Sequence, residues 1–519
     1  MTTSVSNDDV SVIAVPSAQP LAAVSSQDRA VYRIRHTLAS RFAVLVICIA
    51  IVMSTLAYGT VHYWAMGLFN LGALTILILW VLDAWSLGTM RISRNVLQLP
   101  LLGALVLGFV QLLPLREVAN EAALAFGLAN TLSFDPYSTR LVLVQFATLL
   151  VYFSATLVFV DTPHRLHLMV RTIMIFGFLL AVFGLTQSFT SPTKVYWMRE
   201  LNQSTAFGPF INRHHFAGYM ELTIALPLGL LFAGAVDKEK RLLFIFIAGI
   251  MGVALVMTAS RGGIISLIAE IFFFVIVTAL FRKHSEERHR RSSRLKAVGV
   301  RLGLAAALLV SLFIGVLTMG GEMSINRLIV DSVNTNDPTT GRAHFWAVTL
   351  EIIKEHPWIG TGLGAFRVVY TKFDSRNGLF RLEQAHNDYL QVLSDGGIIG
   401  AALALAFVAL LFYRAFVRAR SRDDFRRGVA LAALGGCFAV LVHSFFDFTL
   451  HTTSNALLFL VLAALATLNG RVEDAPRSKR KRRRSSSSRS SSESRTSSES
   501  RTSSESRTSQ EGGDAPAVA

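Results

Sequence analysis

Charge is what this sequence has least of. Only 16% of its 519 residues are Asp, Glu, Lys or Arg, where an ordinary soluble domain carries about 25%. Cysteine is nearly absent, with Cys48 and Cys437 both inside apolar blocks, which excludes a disulfide-framed secreted scaffold and leaves two small core residues. Thirteen prolines and 36 glycines exclude a collagenous chain. Strictly alternating strands of about ten residues are missing, which argues against an outer-membrane barrel. The first 41 residues lack the charged start and small-residue cleavage site of a secretory signal. Residues 1–41 are therefore expected to be a disordered cytoplasmic arm, with the first apolar block an uncleaved anchor.

Apolar residues are what the sequence has. They make up 52% of the chain, and the mean hydropathy is +0.48. They gather in blocks of about 17–24 residues, the length that crosses roughly 30 Å of hydrocarbon as helix. Twelve such spans are expected, near 42–58, 64–85, 97–114, 141–160, 167–187, 216–235, 241–259, 262–281, 301–319, 395–413, 428–447 and 453–470. The fold class is thus an all-α polytopic membrane protein of about 12 transmembrane helices with one large periplasmic loop, 320–394. The membrane domain is expected to cover 42–470, followed by a disordered basic tail, 471–519.

Charge sets the expected orientation. Of the net +16, the tail from Arg471 holds five. The loops "DKEKR" (237–241), "FRKHSEERHRRSSRLK" (281–296) and "YRAFVRARSRDDFRR" (413–427) are basic and so belong in the cytoplasm by the positive-inside rule. Loops 115–140, 188–215 and 320–394 then face outward. The tail repeats "SSESRT" three times and is too poor in apolar residues to order itself. Its "RSKRKRRR" (477–484) follows the last span, where it meets anionic lipid head groups and not nucleic acid.

The chemistry-bearing residues lie on the outward side. His386, in "HNDYLQVLSDGGIIG", is either a surface histidine at a helix start or a proton acceptor near neutral pH. Arg261 in "TASRGG" and Arg342 in "TGRAHFW", with Trp346 one turn further, either reach for lipid head groups or grip a diphosphate through bidentate hydrogen bonds. Asn212, Arg213, His214 and His215 begin the sixth span. Adjacent histidines diverge on a helix, so they make a poor metal pair, and no other His, Cys, Asp and Glu set has metal-ligand spacing. "GTGLG" (360–364) has no βαβ unit around it and reads as a tight turn, not a dinucleotide loop. Glu221, Glu270 and His443 are ionisable groups inside spans, either buried partners or proton-relay groups.

Together these segments resemble the O-antigen ligase and O-antigen polymerase superfamily of bacterial envelope glycosyltransferases, over roughly residues 140–470. His386, Asn387, Gly397 and Gly400 fit the pattern of His, then Asn, nine residues, Gly, two residues and Gly. The "SRGG" turn, "GR" followed by Trp, "HPWIGTGLGAF" (356–366) and the Asn212–Tyr219 segment resemble it too. The resemblance implies an inner-membrane enzyme whose periplasmic site moves a glycan from an undecaprenyl-diphosphate carrier to an acceptor hydroxyl. It implies a metal-independent, inverting reaction without cofactor, with His386 as catalytic base and Arg261 and Arg342 on the diphosphate. Asn212, His215, Trp346 and Asn387 would support them. The acceptor would be lipid A–core for a ligase, another carrier-linked glycan for a polymerase, or a protein Ser or Thr. A small-anion transporter, the bicarbonate-transporter label given to some relatives, is the alternative from a different class. It would show paired repeats and broken helices, and no repeat is evident among the spans.

Overall fold

The protein, seen as a computed structural model, is described over residues 10–14, 36–116, 130–201, 206–280, 303, 342–375, 382–469 and 472. The described chain is helical apart from two short antiparallel pairs, Val10–Ala14 (β1) with Thr89–Ser93 (β2) and Lys194–Val195 (β3) with Arg199–Glu200 (β4). The β1 strand lies within the arm expected to be unstructured. The expected ninth span, 301–319, the basic loop 281–296 and the Ser/Arg tail lie outside the described residues, Gly303 and Val472 apart.

Nine described helices are long and apolar enough to cross a membrane. They are Leu38–Leu56 (α1), Tyr63–Leu87 (α2), Pro136–Phe159 (α4), Pro163–Thr190 (α5), Arg213–Phe232 (α6), Arg241–Met257 with its preceding turn from Lys238 (α7), Arg261–Leu280 (α8), Asp388–Arg418 (α11) and Asp424–His443 (α12). Two shorter apolar helices, Gln98–Gln111 (α3) and Thr453–Thr467 (α13), occupy the third and twelfth expected spans. The all-α polytopic membrane class is what the structure shows.

Local sequence sets the helix starts. Thr37, Asp135, Thr162, Asn212, Asn387 and Asp423 each accept a backbone N–H of the first turn through their side chains, relieving donors the helix cannot satisfy itself. Pro136 and Pro163 stand in the first turn, where a missing N–H costs nothing. Helix α2 stops at Gly88 in the left-handed conformation (φ 66°).

Helix α6 is the axis of the bundle, and almost every one of its side chains is buried. Helix α2 is the opposite case. It buries a stripe from Ala65 to Asp83 and exposes Leu68, Leu71, Leu74, Ile78 and Leu82. An apolar exposed face is what a lipid solvent demands.

Hydrogen bonds sort the helix ends into two sets. At one end Thr453 Oγ1 donates to the Thr60 carbonyl (3.1 Å) and Asn455 Nδ2 to the His215 carbonyl (3.0 Å). At the other, Asn95 Nδ2 donates to Thr467 Oγ1 (2.8 Å) and Arg426 Nη2 to the Leu468 carbonyl (2.8 Å). Every chemistry-bearing loop residue named above falls in the first set.

The described parts of the 320–394 loop carry two helices, Arg342–Glu355 (α9) and Phe366–Phe373 (α10). They enclose a small apolar core of their own: Val348, Ile352, Phe366, Val369, Tyr370, Leu382 and Ala385. The tenth span starts earlier than hydropathy suggests, at Asp388, because Asn387 caps a polar helical stretch that precedes the apolar one. The two stretches meet at Gly397 (φ 62°, ψ −162°). A Cβ there would stand 2.4 Å from the Trp358 carbonyl carbon, so the "HPWIG" turn can lie against the kink only if residue 397 is glycine.

Candidate active site

The site is organised by a residue the motifs do not contain. Asp447 sits just beyond α12 with a side chain only 1% exposed. Its Oδ1 lies 3.2 Å from His386 Nδ1, and its Oδ2 accepts from Arg342 Nη2 at 3.3 Å. His214 Nδ1 lies 3.7 Å from Oδ2. Burial works to raise the Asp447 carboxyl. The His386 hydrogen bond and the charges of His214, His386 and Arg342 overcome it and hold the carboxyl well below the usual carboxylate range. Asp447 is therefore an anion at neutral pH.

His386 is fixed from three directions. Its backbone is left-handed (φ 52°), a conformation that costs a non-glycine residue roughly 1–3 kcal/mol and persists only where neighbours enforce it. Ala385 provides one anchor: it is buried in the loop core, its carbonyl accepts Trp346 Nε1 (3.1 Å), and its N–H donates to Gln391 Oε1 (2.7 Å). Asn387 provides the second. Its Oδ1 caps α11 and its Nδ2 donates to the Phe445 carbonyl (3.1 Å). The third is the Asp388 N–H, which donates to the Ser444 carbonyl (2.9 Å). The His386 ring packs against Phe448 and Phe345, with centroids 4.8 and 6.1 Å away, and 27% of its side chain is exposed. Nδ1 is engaged inward by Asp447, which leaves Nε2 to face a substrate.

Arg342 begins α9, and 23% of its side chain is exposed. Arg261 begins α8 and is half-buried. The turn before it is strained at Ala259 (φ 53°) and is closed by Ser260, whose Oγ accepts the Gly263 N–H (3.2 Å). Ser260 Oγ also lies 2.8 Å from His214 Nδ1, so the Arg261 turn joins the Asp447 cluster through His214.

The supporting residues divide. Trp346 and Asn387 hold the His386 backbone, and Asn212 caps α6 through the His214 N–H (2.9 Å). His215 stands behind the site. Its ring meets Phe448 at 5.1 Å, and its Nε2 is buried without a hydrogen-bond partner. Its neighbour His214 is the one that reaches the carboxylate. Of the ionisable groups inside spans, Glu221 and His443 are a buried pair (Oε1 to Nδ1, 2.7 Å). Among the described residues Glu270 has no such pairing, and neither of its buried oxygens meets a hydrogen-bond donor. Among the described residues no group of three or more His, Cys, Asp and Glu side chains could hold a metal ion.

A second histidine–carboxylate pair lies beside the first. His451 Nδ1 is 2.8 Å from Asp388 Oδ1, and Ser444 Oγ donates to Asp388 Oδ2 (2.8 Å). Burial lowers the His451 imidazole, but the hydrogen bond and charge of Asp388 and the charge of Asp395 raise it above its ordinary value overall. Spacing could not reveal Asp447 or His451, since one ends the eleventh expected span and the other follows it in the unremarkable sequence "FFDFTLH" (445–451). The one available signal was an acidic residue at the end of a span.

Comparison with known proteins gives a likeness over part of the chain. Residues 244–405 match the O-antigen ligase family. The chain is also 25% identical over 272 residues to the O-antigen ligase of Pseudomonas aeruginosa, a match covering 51% of this chain and 55% of that protein. The chain thus spans about half the length of the curated relative it matches. The matched segment contains the Arg261 turn, Arg342, His386 and the Gly397 kink, and over it this multi-pass membrane protein is similar to the O-antigen ligase family.

Proposed function

We propose that this protein is an O-antigen-ligase-type glycosyltransferase. It moves a glycan from an undecaprenyl-diphosphate carrier to an acceptor hydroxyl, as in lipopolysaccharide assembly on the periplasmic face of the inner membrane. The observation that carries this reading is the shared carboxylate: one buried anion, Asp447, holds a partly exposed imidazole on one oxygen and a guanidinium on the other.

The anomeric carbon of such a donor already bears its leaving group, so two tasks remain. One is to remove the acceptor proton. His386 Nε2 takes it as the hydroxyl oxygen attacks, while Asp447 holds Nδ1–H and stabilises the imidazolium that forms. The other is to meet the charge that grows on the diphosphate. Arg342 and Arg261 present fixed guanidiniums, whose planar forks suit phosphate oxygens. Attack from the face opposite the diphosphate inverts the anomeric configuration. Leaving-group stabilisation by arginine needs no metal ion in this reading. For a ligase the acceptor in this reading is lipid A–core.

Deletion of the gene followed by gel analysis of surface polysaccharide tests the reading. Accumulation of unmodified core is the expected result. Single-repeat products would indicate a polymerase, and unchanged glycans would overturn the assignment. With purified protein, transfer is expected to survive chelator. Inhibition that added divalent cation reverses would overturn the arginine-only account.

A further inference from the structure

A line of buried polar groups runs inward from Asp447. His214 Nδ1 lies 3.7 Å from Asp447 Oδ2 and 2.8 Å from Ser260 Oγ. Ser260 Oγ lies 3.5 Å from His443 Nε2, and His443 Nδ1 lies 2.7 Å from Glu221 Oε1. Ser260, His443 and Glu221 are fully buried, whereas 23% of the His214 side chain is exposed. A base role for His386 uses none of these four.

The order of the groups fixes how the hydrogens run. With Glu221 as a carboxylate and His443 as a neutral imidazole, Nδ1–H donates to Glu221 and Nε2 turns toward Ser260 as an acceptor. Ser260 donates its O–H to that nitrogen and accepts Nδ1–H from His214. Nδ1 of His214 is thereby committed inward, and Nε2, on the opposite edge of the ring, is the atom left for a ligand. Position says which ligand. His214 shares the Asp447 oxygen that Arg342 uses, not the one His386 uses, and its other partner is the residue next to Arg261.

We infer that His214 is a further catalytic residue, which donates a hydrogen bond from Nε2 to the carrier diphosphate between Arg342 and Arg261, and that Ser260, His443 and Glu221 are positioning residues acting through it. This inference rests on the diphosphate reading above. The bound diphosphate holds a solvent-derived proton on Nε2. The imidazolium then joins the phosphate on one edge to Asp447 and Ser260 on the other, and the N–H formed with the solvent proton is the one bond that changes. Asp447, Arg213, His443 and Arg342 are the charged or titratable groups whose field reaches the ring.

The test measures competitive inhibition of transfer by undecaprenyl diphosphate in the purified full-length protein. His214→Ala should weaken this inhibition about tenfold, the scale of one hydrogen bond to a charged group. It should raise the donor KM and leave the acceptor KM unchanged. His214→Gln, which keeps an N–H donor, should recover part of the loss. Ser260→Ala should weaken inhibition about threefold in the wild-type background and not at all beside His214→Ala, the non-additivity expected of groups acting as one unit. Unchanged inhibition in His214→Ala would overturn the proposal. So would a His214→Gln variant that inserts normally but binds no better than His214→Ala. Additive losses for His214 and Ser260 would overturn the positioning chain. If undecaprenyl diphosphate fails to inhibit the wild-type protein, the diphosphate reading itself is what falls.

Discussion

Two clusters of buried charge stand at opposite ends of this bundle, and their balance differs. At one end Arg91 is bonded to Asp83 (2.7 Å) and Asp161 (3.0 Å), and Arg165 to Asp161 (3.0 Å) and to Ser40 Oγ (2.8 Å). Two guanidiniums meet two carboxylates, and no side chain among the four is more than 8% exposed. At the other end a single carboxylate, Asp447, serves His386, Arg342 and His214, each about a quarter exposed. A balanced, sealed cluster has no hydrogen-bonding capacity left for a ligand and serves to fix helix ends. A cluster with one acceptor and three open donors has capacity to spare, and that capacity suits an anion.

The difference is best broken from the Asp447 side. His386→Ala should lower transfer by about 10²–10⁴, the span typical of lost general acid–base help, while the carrier-linked donor still binds. Turnover and donor binding measured separately check this, and near-normal turnover would remove His386 as the base. Asp447→Asn comes next. It keeps the shape but replaces the anion with an amide, so turnover should fall, by at most the roughly 10⁴ that this change costs in a Ser-His-Asp triad, as His386 loses its orientation and the arginine its partner.

Arg342→Ala should reduce donor binding and transfer together, each by about tenfold. Arg342→Lys should restore only part, since lysine keeps the charge and loses the fork. A lysine variant equal to wild type would show that charge alone suffices.

The balanced end should respond in stability instead. Asp83→Asn leaves Arg91 short of one carboxylate, a loss on the order of 3–5 kcal/mol for a buried pair. It should appear as a lower unfolding temperature in detergent, with turnover per folded molecule unchanged. Reduced turnover in the folded fraction would erase the distinction between the two ends.

The smallest effect concerns His451. Its folded pKa is raised, so the Asp388 pair contributes its full stability below the ordinary imidazole value of about 6.5 and loses it as pH rises through the folded value. The gap in thermal stability between wild type and Asp388→Asn should therefore be wider at pH 6 than at pH 9. A gap that stays constant or widens toward pH 9 would show that the pair does not titrate in this range.

The sequence by itself determined the solvent and the class of fold. Blocks of apolar residues long enough to span hydrocarbon can be read without knowing any contact, because the lipid acts on each helix separately. It also marked polar helix starts near Asn212 and His386, since caps are local requirements, whereas the need for glycine at 397 comes from the Trp358 turn packed against it. His386, Arg342 and Arg261 were legible as chemical types on one side. Only the tertiary structure decided what joins them. His386 and Asp447 are 61 residues apart, and Arg342 and Asp447 are 105 apart. Neither is a distance that any helical or strand period records. The same holds for the choice of His214 over His215, since consecutive residues on one helix point about 100° apart and only the packing of α6 says which direction is the site. Glu221 found its partner 222 residues away, while Glu270, equally buried, found none among the described residues. A charge inside a span announces itself in the sequence, but its partner is supplied by another helix, and which helix lies alongside is decided by packing in three dimensions.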